Sequence, residues 1–269
     1  MSNRLDERFT QLKAKNEKAL IAYIMAGDPS LHDTAQLVPA LEQAGADIIE
    51  LGVPFSDPIA DGPVIQAAAE RALRSGTSLR KILAMVAELR THTQIPLVLM
   101  AYYNTIGAIG EAECCRLAVA AGIDGLIVPD MPLEESGPLA KASRTAGGPH
   151  LIFLLAPTSP PSRRKMIAKQ GQGFVYYVSL TGITGAKLRD TGDVKRNVQL
   201  IQRVSKVPVA VGFGIATPSD VEKMAQFADG VIVGSAIVRK IAECRQASDL
   251  PEQVGGFVRT LKAGMLPAI

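Results

Sequence analysis

The sequence predicts a (β/α)8 barrel, the TIM-barrel class, as a single domain over residues 1–269 with one extra N-terminal helix. Three observations carry that expectation. Eight short aliphatic runs recur along the chain, and stretches with apolar residues every three or four positions lie between them. The runs are mostly apolar throughout instead of alternating, as parallel strands are when helices cover one side and a packed interior the other. The length of 269 residues suits one such barrel, typically about 250 residues. An open doubly wound sheet is the competing architecture.

Leu5, Phe9 and Leu12, spaced four and three apart, read as an amphipathic helix closing the bottom of the barrel. The strand candidates follow as ALIAYIM (19–25), DIIEL (47–51), PLVLMA (96–101), DGLIVP (124–129), HLIFLLA (150–156), GFVYYVS (173–179), PVAVGF (208–213) and DGVIVG (229–234). Helical patterns cover 31–45, 78–90, 111–122, 133–147 and 217–228. Gly45, Gly122 and Gly147 stand where helices end, and Ser219 and Asp220 follow Pro218 where one begins. No linker, low-complexity segment or charge run divides the chain.

Composition excludes several functions. The 29 Lys and Arg against 26 Asp and Glu leave a net charge of +3, spread along the chain without the basic block of a nucleic-acid or membrane footprint. No apolar run reaches the ~20 residues that span a bilayer. Three cysteines, two of them (Cys114 and Cys115) inside a helical pattern, make no disulfide framework and no metal spacing with His32, His92 or His150. The opening residues lack an apolar stretch, so neither a secretory signal nor a transit peptide is expected, and a reducing cytoplasm fits.

In a barrel of this class the reactive groups follow the carboxyl ends of the strands. Glu50, flanked by Ile49 and Leu51 at the end of the second run, would be desolvated there, which suits a group exchanging a proton near neutrality. The alternative is a glutamate paired with a neighbouring cation. The next loop, LGVPFSDPIADGP (51–63), far exceeds the ~2–6 residues a plain connection needs. Its Asp57 and Asp61 offer a second carboxylate facing Glu50, or caps for a helix beginning near Pro63; for Asp57 a turn or interface role is the better expectation.

Three glycine-containing turns follow the last three strands: TGITGAK, GFGIATPSD and VGSAIV. Bare backbone N–H groups there, with a helix opening at Ser235, form the usual phosphate position of the class without Lys or Arg. The Tyr102, Tyr103 and Asn104 cluster, with Tyr23 and Tyr176, could line an apolar pocket, although packing explains each aromatic singly. Asp130 reads as a second carboxylate or as a group bonded to loop backbone. The polar, Gly-rich stretch over 180–196 reads as a lid.

The segment IELGVPFSDPIADGPVIQ (49–66) resembles the signature of the tryptophan synthase alpha chain family. AGDPS, LMAYYN, DGLIVPDMPLEE, SLTGITGAK, VGFGIATPSDV and DGVIVGSAIV extend the likeness, in order, over almost the whole chain. The resemblance implies a lyase that cleaves indole-3-glycerol phosphate reversibly, by a retro-aldol step, to indole and glyceraldehyde 3-phosphate, with no cofactor or metal in this chain. It assigns Glu50 as general acid/base and Asp61 as second catalytic carboxylate. Tyr176 would touch Glu50, Thr184 would close on Asp61, and Gly185, Gly214, Gly234 and Ser235 would cradle phosphate. Tyr23, Met100, Tyr102, Phe213 and Ile232 fall at substrate-binding positions. It also implies a PLP-dependent beta chain as partner in an alpha2beta2 heterotetramer, with loop 52–63 and lid 180–196 as contact and signalling elements. A free-standing indole-releasing lyase and a catalytically silent regulatory subunit share many of these motifs. The chain departs from a common family pattern at Thr105, where Pro is frequent, and at Tyr23, where some members have Phe.

Overall fold

The computed structural model describes residues 3–179, 191–212 and 214–265. In chain order they form α1 (Arg4–Ala14), β1 (Ala19–Met25), α2 (Leu31–Gln43), β2 (Ile48–Gly52), α3 (Pro63–Arg74), α4 (Leu79–Leu89), β3 (Leu97–Met100), α5 (Tyr103–Gly107), α6 (Glu111–Ala121) and β4 (Gly125–Ile127). A 3-10 turn (Leu133–Glu135), α7 (Gly137–Ala146), β5 (His150–Ile152), β6 (Leu154–Leu155), α8 (Pro161–Gln170), β7 (Val175–Val178), α9 (Thr191–Gln202), β8 (Val209–Gly212), α10 (Pro218–Ala225), β9 (Gly230–Val233), α11 (Ser235–Cys244) and α12 (Leu250–Ala263) follow.

All strand pairs are parallel, in the order β5-β4-β3-β2-β1-β9-β8-β7-β6. The two ends of that order are consecutive in sequence. The fifth predicted strand is divided at Phe153: β5 pairs with β4, β6 pairs with β7, and the Phe153 carbonyl accepts the Tyr176 N–H at 3.1 Å. One segment thus passes from one neighbour to the other and closes the barrel. The helix expected over 133–147 also divides, because Pro138 lacks the N–H that would extend α7 backwards.

Strand alternation sorts the apolar residues into layers. Leu20, Ala22 and Ile24 face outward into the layer beneath the surrounding helices, while Ala19, Ile21, Ile48, Val98, Ile127, Ile152, Phe174, Ala210 and Ile232 fill the interior. Leu5, Phe9 and Leu12 of α1 pack under that interior, so α1 is the expected bottom plug. Above it Ile65, Ala68, Ala69 and Ala72 of α3 lie on Tyr23, Met25 and Val238, making α3 a cover over part of the barrel mouth. Gly122 and Gly147 end α6 and α7 in the left-handed conformation, and Thr217 and Asp220 form a capping box on α10. Among the described residues no helix is long and apolar enough to cross a membrane.

The aspartates that open three of the runs are structural. At the bottom rim Asp47, Asp124 and Asp229 each accept an N–H at the start of a neighbouring strand, from Leu20, Leu97 and Val209 at 2.8–2.9 Å. Asp124 also binds Arg4 at 2.9 Å and Arg90 at 2.8 Å while its side chain is 4% exposed. Removing one member of such a buried network leaves unpaired charge, a loss of about 3–5 kcal/mol. Asp124→Ala should therefore lower unfolding free energy in urea by that order while the folded fraction keeps its turnover; unchanged stability would show that the network contributes nothing net.

Candidate active site

The inward register that buries Ile48 also points Glu50 and Gly52 into the barrel, and β1 places Tyr23 directly across from Glu50. Glu50 is 1% exposed, and neither carboxylate oxygen has a hydrogen-bond partner among the described residues. Among the described residues no cation pairs with it, which counts against the ion-pair alternative. Burial, and secondarily the charge of Asp61, push its pKa up to about 8. A carboxyl this costly to bury without compensation is a candidate for chemistry.

The loop over 53–62 leaves β2 with the Val53 N–H on the Met100 carbonyl at 2.8 Å and returns at Asp61. Tyr102, just after β3, holds it there: its hydroxyl donates to Asp61 Oδ2 at 3.1 Å and accepts the Ala60 N–H at 2.9 Å, while Phe55 stacks on its ring with centroids 5.2 Å apart. Burial raises the Asp61 pKa to about 6, with the Tyr102 hydrogen bond acting the other way. Neither Asp61 nor Asp57 caps the following helix; the cap position is Gly62, with no side-chain bond. Asp57 is exposed, accepts from the Ser56 hydroxyl at 2.5 Å and takes the Ile59 N–H on its carbonyl, a turn role.

The tyrosine cluster separates. Tyr102 is buried as the tether of Asp61, whereas Tyr103 is 40% exposed and donates to Glu111; Asn104 is exposed as well. Asp130 accepts the Tyr103 backbone N–H at 2.9 Å, the backbone role expected of it. Tyr23 and Tyr176 are buried, and burial raises both phenols well above their ordinary value, followed by the charge of Asp61 for Tyr23 and of Glu50 for Tyr176. Both phenols therefore stand within electrostatic reach of the two carboxyls. Met100 packs in both the interior layer and the α3 layer, and Ile232 lies in the interior layer.

Two glycines missed as site residues make room for these rings. A Cβ on Gly52 would lie 2.2 Å from the Tyr23 hydroxyl oxygen, and one on Gly212 would lie 2.6 Å from that of Tyr176. The available signal was strand parity, since each stands two residues beyond an inward position. At the end of β9, on the other side of β1 from β2, Gly234 caps α11 and Ser235 is its first residue, so free N–H groups and the positive helix end converge there. A Cβ on Gly234 would come within 3.6 Å of the Tyr23 ring, which sets this cradle beside the carboxyl pair. Gly214 has φ +74, a conformation that favours glycine. Thr184, Gly185 and Phe213 lie outside the described residues, as does the lid except for 191–196, which begin α9. Among the described residues no cluster of three or more His, Cys, Asp or Glu could hold a metal ion.

A buried carboxyl and a Tyr-held carboxylate at the carboxyl end of a parallel barrel, beside the open start of a helix, are the arrangement of a barrel enzyme. A family model described as tryptophan synthase alpha chain matches residues 9–265, and the chain belongs to that family, whose members are lyases. It is 50% identical over 264 residues to the tryptophan synthase alpha chain of Geobacter sp. (strain M21), covering 98% of each. The Nitrosococcus oceani alpha chain is 48% identical, with 97% of this chain and 96% of that one covered. Among solved structures, the tryptophan synthase subunit alpha from Legionella pneumophila str. Paris superposes with a TM-score of 0.91 at 37% identity, over 98% of this chain and 99% of that one. A chain of Mycobacterium tuberculosis tryptophan synthase gives 0.89 at 37%, with the same coverage.

Proposed function

We propose that the chain cleaves indole-3-glycerol phosphate to indole and glyceraldehyde 3-phosphate, with Glu50 as acid and then base and Asp61 as the stabilising carboxylate. The observation that carries this reading is the buried Glu50 carboxyl, unpartnered among the described residues and raised to about 8, which senses the charge of Asp61, itself at about 6. Near neutrality Glu50 holds a proton and Asp61 is ionised. Glu50 then protonates the indole carbon that bears the side chain, and Asp61 accepts the ring N–H and stabilises the cation that forms. The Glu50 carboxylate next takes the proton of the adjacent hydroxyl. The carbon–carbon bond breaks, its electron pair neutralises the ring, and the hydroxyl carbon becomes the aldehyde. The protonated ring is the electron sink, so no metal or organic cofactor is needed in this chain.

Gly214, Gly234 and Ser235, with Gly185, would hold the phosphate through backbone N–H groups. A Cβ on Gly234 would meet nothing closer than 3.6 Å, so Gly234→Asp has room to fold while its carboxylate repels the anion. Binding of glycerol phosphate analogues, read by inhibition, should weaken at least tenfold, ~1.4 kcal/mol; unchanged inhibition would remove Gly234 from the cradle.

The indole would pass to a PLP-dependent beta chain in an alpha2beta2 heterotetramer in the cytoplasm. In support, loop 53–62 carries Ile59 at 84% exposure beside the site, an apolar side chain suited to a partner surface. The test is indole release from indole-3-glycerol phosphate by the purified chain, alone and with a beta chain. Activation by the partner is expected; equal rates would indicate a free-standing lyase, and no indole in either case would overturn the proposal.

A further inference from the structure

We propose that Arg71, assisted by Gln66, is the positioning residue that sets where Asp61 stands in the site. This rests on the assignment of Asp61 as a catalytic carboxylate. The loop bearing Asp61 runs directly into α3, and Gln66 on the first turns of that helix donates its side-chain N–H to the Asp61 carbonyl at 2.8 Å. Five residues further along, Arg71 places a two-pronged fork on Asp28, Nε to Oδ1 at 2.7 Å and Nη2 to Oδ2 at 2.8 Å. Asp28 is 1% exposed in the turn after β1. That turn is tied in its own right to the carboxyl end of β2, through the Ala26 N–H on the Gly52 carbonyl at 2.9 Å. Ser75, just past α3, adds a hydrogen bond to the Gly27 carbonyl at 3.2 Å.

The packing of α3 explains why a fork is needed. Its buried face is Ile65 and the alanines 68, 69 and 72, a low surface that fixes how deep the helix lies but resists sliding along its axis poorly. Each residue of slide would carry the loop about 1.5 Å. A planar guanidinium bound by two parallel hydrogen bonds removes that freedom, where a lysine, a single point charge, would not. Among the described residues the hydrogen bond on the Asp61 carboxylate itself is the 3.1 Å bond from Tyr102. The strong end of the loop's support is therefore Arg71 on Asp28, transmitted through α3 and Gln66.

The test is a double-mutant comparison on the full chain. Arg71→Lys should lower kcat for indole release about tenfold with little change in KM, and should move the acid limb of the pH profile, the limb set by Asp61. In an Asp61→Asn background it should lower kcat no further, because the group it positions is gone. Gln66→Ala, on an exposed side chain, should show the same dependence at smaller size, and it carries the test if Arg71→Lys does not fold. Effects that multiply with Asp61→Asn, or an unmoved acid limb, would overturn the proposal and leave a purely structural ion pair. An Asp61→Asn rate equal to wild type would instead overturn the catalytic assignment itself.

Discussion

Glu50→Gln should lower indole release by about 10^4-fold, the upper range for loss of a general acid/base group, because the same carboxyl serves both halves of the reaction. Substrate binding should change little, since the amide keeps the shape of the side chain. The same substitution should stabilise the fold at alkaline pH. Burial raises the Glu50 pKa from 4.5 to about 8, so the folded chain holds this proton more tightly than the unfolded one. The resulting stability is fully present below about 4.5 and is lost as the pH rises through about 8. Glutamine carries no such dependence. Wild type and variant should match near pH 4.5, and the variant should gain steadily up to about pH 8 and level off above it. At ~1.4 kcal/mol per pKa unit the ceiling is roughly 4–5 kcal/mol. Urea unfolding at pH 5 and pH 9 measures the gain. A pH-independent difference would show that Glu50 is not held protonated, and near-normal turnover would end its catalytic assignment.

That trade of stability for reactivity was partly legible in the sequence. The eight apolar runs predicted the strands because strands buried on both faces need no polar residue, so Glu50, a charge inside the run DIIEL and not at its start, stood out. What period could not show was the neighbour of each side chain. Whether Glu50 had a cation partner depended on strands far away in sequence, and only the register of β1 against β2 settles that its opposite is a tyrosine. Asp61 shows the limit from the other side: a carboxylate two residues before a helix reads as a cap, and it is the Tyr102 hydroxyl, 41 positions away, that turns it to the site instead. Gly52 and Gly212 were illegible as site residues because a missing side chain carries no chemistry of its own. Their use appears once Tyr23 and Tyr176 are seen to occupy the space. The divided fifth strand was equally hidden, since HLIFLLA is apolar on both sides of Phe153 and closure is a property of the whole barrel.

Asp61→Asn should lower kcat by about 10^2–10^3-fold, the loss typical of one preorganised electrostatic stabiliser, ~2.7–4 kcal/mol. The effect is one of charge and not of placement, because asparagine still presents an oxygen to the Tyr102 hydroxyl. The pH dependence separates the two carboxyls. In wild type, activity should rise as Asp61 ionises through about 6 and fall as Glu50 loses its proton through about 8, giving a bell with its top between them. Asp61→Asn removes the rising limb. It also removes the negative charge that is the second cause of the Glu50 shift, so the falling limb should move to lower pH. It should remain well above an ordinary glutamate, since burial is the first cause. Rate–pH profiles of kcat/KM for the two proteins decide the matter. If the acid limb survives the substitution, some other group sets it; if the alkaline limb stays fixed, the two carboxyls do not sense each other, and the acid/base pair proposed for this barrel is two separate residues.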